Sequence, residues 1–496
     1  MLVAGTGSDV GKSVVVQGLC RWLVRQGVNV APFKAQNMSL NSFVTNDGAE
    51  IARAQAAQAA AATVVPEAAM NPILLKPVDD RRAQVIVMGR AVCESDAQEY
   101  LDLRPRLGGI VREALGELRS RFDVVVCEGA GSLAEINLRD GDLPNLGLAR
   151  DAEIPVVIVA DIDRGGVFAS LYGSVELLDA ADRSLIAGFV INKFRGRFSI
   201  LEPGLRTIES LTGVPVLGVL PWMRDLWIDA EDALPLRSIL AASRPPAGRD
   251  TLDVAVVALR RMSNVNDMDA IACEPGVVVR FTRSFTDVAR ADLVVVPGSK
   301  ATVGDLGELR ADGLDVALAE RARRGSPILG ICGGYQMLGT RIVDRYESDS
   351  GDVPGLGLLP VETVFEPDKV LARPHGVSPA FGGVAAEGYE IHNGRVRRDG
   401  GDPLFETVEG DEGCRARTVV GTSWHGVFES DGFRAAFLRW VATVRGLDWL
   451  PGSTPFASIR EQTYETLADM IEQHLDTPAL LAVIERGAVP LRRVRG

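Results

Sequence analysis

The sequence lacks long apolar runs, an excess of basic residues and paired cysteines, and each absence excludes a class of protein. No stretch of about 18 or more residues is free of charged and polar breaks, so we expect no transmembrane helix. The 53 basic residues are outnumbered by 66 acidic ones, and the net charge of −13 argues against a general nucleic-acid binder. The first residues, MLVAGTGSDVGKS, contain neither a basic region nor a cleavage signature, so secretion is not expected.

Cysteine and histidine are also sparse. Six cysteines are scattered along 496 residues without a CxxC pair, which is typical of reduced thiols rather than of a disulfide framework or a zinc site. Hydrophobic residues make up 46% of the chain and charged residues 24%, as in ordinary globular proteins. We therefore expect a cytoplasmic protein whose partners are small molecules rather than nucleic acids or membranes.

Short runs rich in Val and Ile alternate with helix-length segments throughout the chain. This alternation is typical of buried parallel strands in doubly wound sheets. We predict an α/β protein with two doubly wound domains, and we expect the Ala-rich segment 49–65 to be one strong helix. The expected divisions are a first domain at 1–235, a linker at 236–250, a second domain at 251–445, and a helical tail at 446–496 packed on the second domain.

A short strand runs straight into a glycine-rich loop, GTGSDVGKS, and then into a helix-length segment. Backbone N–H groups in such a loop cradle nucleotide phosphates at the helix N-terminus. Lys12 would neutralise phosphate charge, and Ser13 would hold Mg²⁺. The spacing GxxxxGK[ST] is not met, because its first position is Thr6 and the glycine lies one residue earlier. We predict that ATP is bound by Gly7, Asp9, Val10, Gly11, Lys12, Ser13 and Asn192.

Acidic residues follow two of the predicted strands, at the edge where open α/β sheets bind ligands. Glu128 ends the run VVVCE, and Asp161 and Asp163 follow the run PVVIVA. We predict Ser13, Glu128 and Asp161 as the magnesium ligands. Either aspartate is also compatible with a helix N-cap.

A cysteine in the second half has the setting of a nucleophile. Cys332 follows an apolar strand in PILGICGGYQMLG and precedes small residues that open a helix, which exposes the thiol and aims N–H groups at an oxyanion. We expect its base to be His425, with His392 as the competitor; His375 and His474 are expected to be ordinary residues. The residues predicted to form the oxyanion and ligand site beside it are Gly298, Ser299, Gly333 and Gln336.

These motifs together resemble the cobyric acid synthase family along nearly the whole chain. The resemblance rests on GTGSDVGKS, PFKAQNMSLNS, NPILLKP, EGAGSLAEINL, VADIDRGGVFAS and VINKFRG in the first half, and on PGSKAT, GICGGYQMLG, GYEIHNGR and WHGVFE in the second. It implies a P-loop domain similar to dethiobiotin synthetase, fused to a flavodoxin-like class I glutamine amidotransferase domain of the cobalamin type.

The resemblance also implies a reaction. Cys332 and His425 would release ammonia from glutamine, while a substrate carboxylate would be activated by ATP and Mg²⁺ as an acyl phosphate. The family amidates the b, d, e and g carboxylates of adenosylcobyrinic acid a,c-diamide. Contacts expected for this polyanionic substrate are Lys34, Asn37, Lys76, Asp163, Arg164 and Arg195.

The chain departs from the resemblance at two places. Val427 occupies the position, two residues after the histidine, where class I amidotransferases usually have a glutamate; Glu429, Glu390 or no residue would orient the imidazole, and we expect a Cys–His dyad. The first strand is short, which predicts an upstream start or a clipped strand.

Three alternatives stay open. Two of them are the sibling cobyrinic acid a,c-diamide synthase and other amidases, which would contain the same two fused domains. A P-loop switch ATPase is disfavoured because Gly7 stands where such proteins usually carry a second lysine.

Overall fold

The computed structural model describes residues 1–223, 239–241 and 245–488. The first half folds around a six-stranded sheet in which every neighbouring pair is parallel. Its strands, in spatial order, are Val216–Pro221, Ile186–Phe194, Val156–Asp161, Leu2–Gly5, Val124–Glu128 and Val30–Phe33. Leu2–Gly5 is central, so the loop that follows it emerges in the middle of the carboxyl edge.

The second half has a seven-stranded sheet whose five middle strands are parallel and whose two outer strands are antiparallel. Its spatial order is Ile239–Ala241, Val277–Thr282, Leu252–Val257, Leu293–Val296, Ile328–Ile331, Val419–Thr422 and Cys414–Ala416. The Val and Ile side chains of the middle strands are almost all buried, as expected for a sheet covered on both faces. Two doubly wound α/β units are therefore confirmed.

Each unit also contains smaller sheets of two or four strands. In the first half they are Gln36–Met38 with Ile73–Pro77, Arg82–Val87 and Arg90–Asp96, and Ser42–Val44 with Glu50–Ala52. In the second half they are Met262–Ser263 with Gly298–Ser299; Gly351–Pro354, Arg341–Asp344, Val361–Ala372 and Glu390–Arg398; and Val384–Glu387, His375–Ser378, Phe405–Thr407 and Gly410–Glu412.

Helices cover both faces of the large sheets. The α-helices are Lys12–Arg25, Arg53–Ala61, Ala97–Arg121, Leu146–Asp151, Val167–Glu176, Ala180–Arg183, Phe198–Thr212, Asp269–Ala272, Phe285–Arg290, Thr302–Ala311, Leu314–Arg323, Gly333–Leu338, Asp431–Arg445, Phe456–His474 and Thr477–Arg486. Short 3₁₀ turns span Ala68–Met70, Ile136–Leu138, Val265–Met268, Pro379–Phe381 and Val427–Glu429. No helix in the described ranges is both long and apolar enough to cross a membrane.

The expectation of one helix over the Ala-rich segment is wrong at both ends. Glu50–Ala52 is a strand, and the helix runs only over Arg53–Ala61. The reason is tertiary: Glu50–Ala52 pairs with Ser42–Val44, and this backbone pairing overrides the helix propensity of alanine.

The expected position of the C-terminal tail also needs correction. The helix Phe456–His474 begins against the second half, where Phe456 and Ile459 join the core, but most of it packs on the first half. Leu467 and Ile471 lie in one buried cluster with Trp22. Arg25 binds carboxylates of the tail helix at Glu465 and Asp469, which reinforces the contact. The linker prediction, 236–250, lies largely outside the described residues, and the domain boundaries stay predictions.

Candidate active sites

The glycine-rich loop joins the central strand of the first sheet to the helix Lys12–Arg25. Gly11 has φ 98°, and a Cβ there would lie 2.1 Å from Nδ2 of Asn192, so only glycine fits. The Asn192 amide donates to the carbonyl of Val10 at 2.9 Å and holds the loop from the neighbouring strand end. Lys12 Nζ donates to the carbonyls of Gly7 (2.9 Å) and Gly131 (3.1 Å), which directs it across the loop.

Glu128 lies beside this loop at the end of its buried strand. Its carboxylate accepts from Ser13 Oγ and from Lys34 Nζ, each at 2.9 Å, and from the Gln58 amide. Burial raises the pKa of a carboxyl, but Lys34, together with Gln58 and Lys12, outweighs this effect and the pKa of Glu128 is lowered. Glu128 is thus a buried anion in contact with the hydroxyl that follows the loop lysine. Lys34, expected to contact substrate, is buried in this cluster instead.

The two aspartates on the other side of the loop have different partners. Asp161 accepts from Lys193 Nζ at 2.8 Å, and Lys193 also donates to the carbonyl of Asp9. Asp163 forms an exposed ion pair with Arg195 at 3.0 Å. Asp161 is therefore paired with a lysine, as Glu128 is with Lys34, but only Glu128 also contacts the Ser13 hydroxyl.

The other expected substrate contacts divide into buried and exposed residues. Asn37 is buried, and its amide donates to Gln55. Arg164 and Arg195 are exposed; Arg164 reaches Asp9 at 3.2 Å, and Arg195 lies 3.9 Å over the ring of Trp222. Of these three residues, only the two exposed arginines are accessible to a large ligand.

Cys332 lies at a sharp turn between the strand Ile328–Ile331 and the helix Gly333–Leu338. Its backbone has φ 49° and ψ −109°, a strained conformation for a residue other than glycine and one typical of a nucleophile held at a strand-to-helix elbow. The thiol is largely buried and points toward the carbonyl of Ile391, 4.0 Å away. The predicted elbow is present, but the thiol that we expect it to expose is buried.

His425 contacts Cys332 through its side chain. Its Nδ1 lies 2.7 Å from Oδ2 of Asp267, whose Oδ1 accepts from the backbone N–H of Gly426 at 2.7 Å. Burial opposes the charged imidazole, but Asp267 and Cys332 raise the pKa of His425 to about 10. Cys332, His425 and Asp267 therefore form a connected triad, and our expectation of a dyad is wrong.

The other candidates for these roles are engaged elsewhere. Nδ1 of His392 is 2.7 Å from the carbonyl of Gly394, and Glu390 is 3.6 Å from the other nitrogen of that ring. Glu429 forms ion pairs with Arg53 at 2.7 Å and with Arg460 at 2.9 Å. Neither glutamate orients His425.

The predicted oxyanion residues lie beside the triad. A Cβ on Gly298 would approach Cε1 of His425 to 2.8 Å, so the absence of a side chain there lets the backbone reach the imidazole. Ser299 and Gln336 line the same cavity as Cys332. A Cβ on Gly333 would lie 2.8 Å from the backbone nitrogen of Ser299, which shows how closely the two backbone segments approach.

The cavity at Cys332 also receives charged residues from both halves. Lys76 comes from the first half, whereas Lys300 and Lys369 come from the second. Lys76 and Lys369 share the buried carboxylate of Glu50, and Lys300 pairs with Glu347. Lys76, expected at the substrate site of the first half, is thus a wall of the cysteine pocket.

Comparisons with known proteins agree with this geometry. Residues 1–236 match the CobQ/CobB/MinD/ParA nucleotide binding domain, and residues 253–433 match the CobB/CobQ-like glutamine amidotransferase domain. The cobyric acid synthase of Streptomyces avermitilis is 55% identical and covers 98% of this chain and 97% of its own length. That of Frankia casuarinae is 53% identical with the same coverage of both chains.

The chain belongs to the cobyric acid synthase family. It is therefore a glutamine-dependent amidating ligase, with the nucleotide-binding domain in the first half and the amidotransferase domain in the second. Among solved structures, a glutamine amidotransferase matches 39% of this chain and 99% of its own at 19% identity, with a TM-score of 0.32.

For this member of the cobyric acid synthase family, sequence patterns located the loop and the cysteine elbow but missed Asp267, Glu50 and Lys369. Asp267 lies in the stretch SNVNDMDA, among several acids and amides with no distinguishing spacing. Glu50 and Lys369 become partners only when the two halves dock. Neither kind of pairing leaves a local signal in the sequence.

Proposed function

We propose that the chain converts adenosylcobyrinic acid a,c-diamide to adenosylcobyric acid by amidating its b, d, e and g carboxylates. ATP activates each carboxylate and glutamine supplies the ammonia. The observation that carries this proposal is the Cys332–His425–Asp267 triad in one half, whose pocket is walled by Lys76 of the half that holds the phosphate loop. A switch ATPase does not hydrolyse glutamine, so its activity would not require this triad.

Glutamine hydrolysis follows from the triad. Asp267 accepts Nδ1–H of His425, which leaves Nε2 for the sulfur. An imidazolium beside a thiol favours the nucleophilic thiolate. Cys332 attacks the side-chain amide carbon, the proton held by His425 goes to the departing ammonia, and water later cleaves the thioester to glutamate. Backbone N–H groups near Gly298 and Gly333 are suited to the oxyanion.

Carboxylate activation takes place at the loop of the first half. A substrate carboxylate attacks the γ-phosphorus of ATP, ADP leaves, and ammonia then displaces phosphate from the acyl phosphate. Lys12 neutralises the charge that accumulates on the transferred phosphoryl group. Activation is required because a free carboxylate does not react with ammonia.

Magnesium fits the residues beside the loop. The Ser13 hydroxyl and the Glu128 carboxylate lie 2.9 Å apart, and hydroxyl and carboxylate oxygens are ligands that Mg²⁺ prefers. Bound there, the ion would shield phosphate charge. Asp161 is the third proposed ligand. Glu128 is paired with Lys34 and Asp161 with Lys193, so Mg²⁺ would take the place of these lysines.

The corrinoid substrate is proposed to bind over the carboxyl edge of the first sheet, where α/β sheets of this kind bind ligands. Exposed arginines follow two of its strands, at Arg164 and Arg195, and suit a polycarboxylate. Exposed apolar side chains in the loops and helix starts of the same edge suit a flat macrocycle; they are Ile136, Leu138, Phe198 and Ile200. Because these substrates are intracellular metabolites, the proposed location is the cytoplasm.

Two variants test this division of labour. Cys332→Ala should abolish amidation with glutamine but retain it with ammonium salts, whereas Lys12→Ala should abolish both. Loss of the ammonium-driven reaction in folded Cys332→Ala protein would refute the proposal that the two halves perform separate steps.

A further inference from the structure

A segment of the first half holds the loop that carries Asp267. The backbone N–H of Ser42 donates to Oδ1 of Asn264 at 2.8 Å, and Oδ1 of Asn41 accepts from the backbone N–H of Val265 at 3.1 Å. Both bonds cross from one half to the other, and Asn41, Ser42 and Asn264 are buried. Since buried polar groups in folded proteins are nearly always paired, these bonds fix the loop to the first half.

The backbone of Asn264 transmits this contact to Asp267. Asn264 has φ 52° and ψ 47°, a left-handed conformation that is uncommon outside glycine but tolerated by asparagine. Its carbonyl accepts the N–H of Asp267 at 3.0 Å. The conformation of Asn264 therefore fixes the position of the Asp267 backbone. Asp267 in turn binds both the ring of His425 and the N–H of Gly426.

Other contacts between the halves converge on the same site. Phe43 lies 5.5 Å from Tyr389, and Tyr389 is stacked on His425 at 5.6 Å. Arg53 pairs with Glu429, in the turn that follows His425. The segment from residue 41 to residue 53 is thus in contact with residues that flank Asp267 on one side and His425 on the other.

We propose that Asn41 and Asn264 are positioning residues for glutamine hydrolysis, through which the ATP-binding half holds Asp267 against His425. This inference rests on the proposed function, in which Cys332 and His425 hydrolyse glutamine. Asn41 and Asn264 act through Asp267 and do not touch the reacting atoms. Efficient hydrolysis consequently requires the two halves to be docked.

The test uses two substitutions in the full-length protein. Asn41→Ala removes one acceptor, and Asn264→Gly removes the other while keeping a residue that adopts a left-handed backbone without strain. We expect each to lower kcat for glutamine hydrolysis about tenfold, with KM for glutamine and the ammonium-driven amidation within about twofold of wild type, because neither residue builds the pocket or the ATP site.

Asn46→Ala is the matched control. Asn46 lies within the same segment, in the turn after the strand Ser42–Val44. It accepts from Arg373 across the halves at 3.1 Å, but this contact leads to the strand Val361–Ala372 and not to the Asp267 loop. The control should hydrolyse glutamine at the wild-type rate. If Asn41→Ala fails to fold, Asn264→Gly decides the question.

Two results would overturn the inference. Wild-type kcat in both variants would show that the loop needs no support from the first half. An equal loss of the ammonium-driven reaction would show a general structural role. Failure of the proposed function looks different: Cys332→Ala would then still hydrolyse glutamine, whatever the asparagine variants do.

Discussion

At the scale of single residues, the Asp267 carboxylate gives the His425 imidazole both its orientation and its charge. We predict that Asp267→Asn lowers kcat for glutamine hydrolysis by roughly 10²–10⁴-fold, because an amide cannot balance the imidazolium or select its tautomer. A steady-state glutaminase assay measures this loss. The ammonium-driven reaction should be unaffected, and a parallel decrease there would contradict the assignment.

The same pair makes stability depend on pH. The pKa of His425 is raised from 6.5 to about 10, so its contribution to the free energy of unfolding is fully present below pH 6.5 and is lost as the pH rises through 10. Asp267→Asn protein should therefore lose less stability than wild type over that window. Urea unfolding at both ends of the window measures the difference, and identical pH dependence in the two proteins would argue against a charged His425.

Local motifs explain which site residues could be predicted. Cys332 and Lys12 each sit at a strand-to-helix junction that short glycine-rich sequences identify, and His425 was one of only four histidines. Asp267 could not be selected among 66 acidic residues, because its role depends on a contact with a residue far along the chain. The sequence shows the charge of Lys34 and Lys76 but not their burial, and it therefore predicts them as substrate contacts.

At the scale of elements, the tail helix Phe456–His474 joins the second half to the first. We predict that Leu467→Ala lowers the free energy of unfolding by about 2–5 kcal/mol, because it leaves a cavity where the tail packs on the first half. It should also weaken ATP binding, since the helix after the phosphate loop belongs to the same cluster. Denaturant unfolding and nucleotide titration measure the two effects.

Gln473→Ala, on the exposed face of the same helix, is the control and should change neither quantity. An effect of Leu467→Ala on glutamine hydrolysis alone would contradict the observed packing.

The pattern of the tail predicts its helices but not the surface on which they pack, since an amphipathic helix does not specify which surface covers it. The central strands are easier to predict from the sequence, because runs of Val and Ile of this length are typical of strands buried on both faces of a sheet.

At the scale of the whole molecule, two carboxylates connect the two halves, Glu50 fully buried and Glu429 partly exposed. Glu50 binds Lys76 and Lys369, and Glu429 binds Arg53 and Arg460. Burial opposes ionisation, but these cations lower the pKa of each carboxyl from 4.5 to about 2.

The stabilisation from these two carboxylates is present above pH 4.5 and is lost as the pH falls through 2. We predict that wild-type protein separates its halves in this acid range, and that Glu429→Gln, which has no such charge to lose, shows a weaker dependence on acid. Small-angle scattering against pH monitors the separation. An unchanged profile in the variant would show that Glu429 does not contribute to the acid response.

The central claim concerns the substrate, and mass spectrometry of the corrinoid product tests it most directly. Adenosylcobyrinic acid a,c-diamide is incubated with the protein, ATP, Mg²⁺ and glutamine, and each exchange of a hydroxyl for an amino group changes the mass by a fixed amount. We expect a ladder that ends at the product amidated on b, d, e and g, and that disappears without ATP. An unchanged substrate, with cobyrinic acid gaining two amides instead, would contradict the account and assign the protein to the sibling reaction.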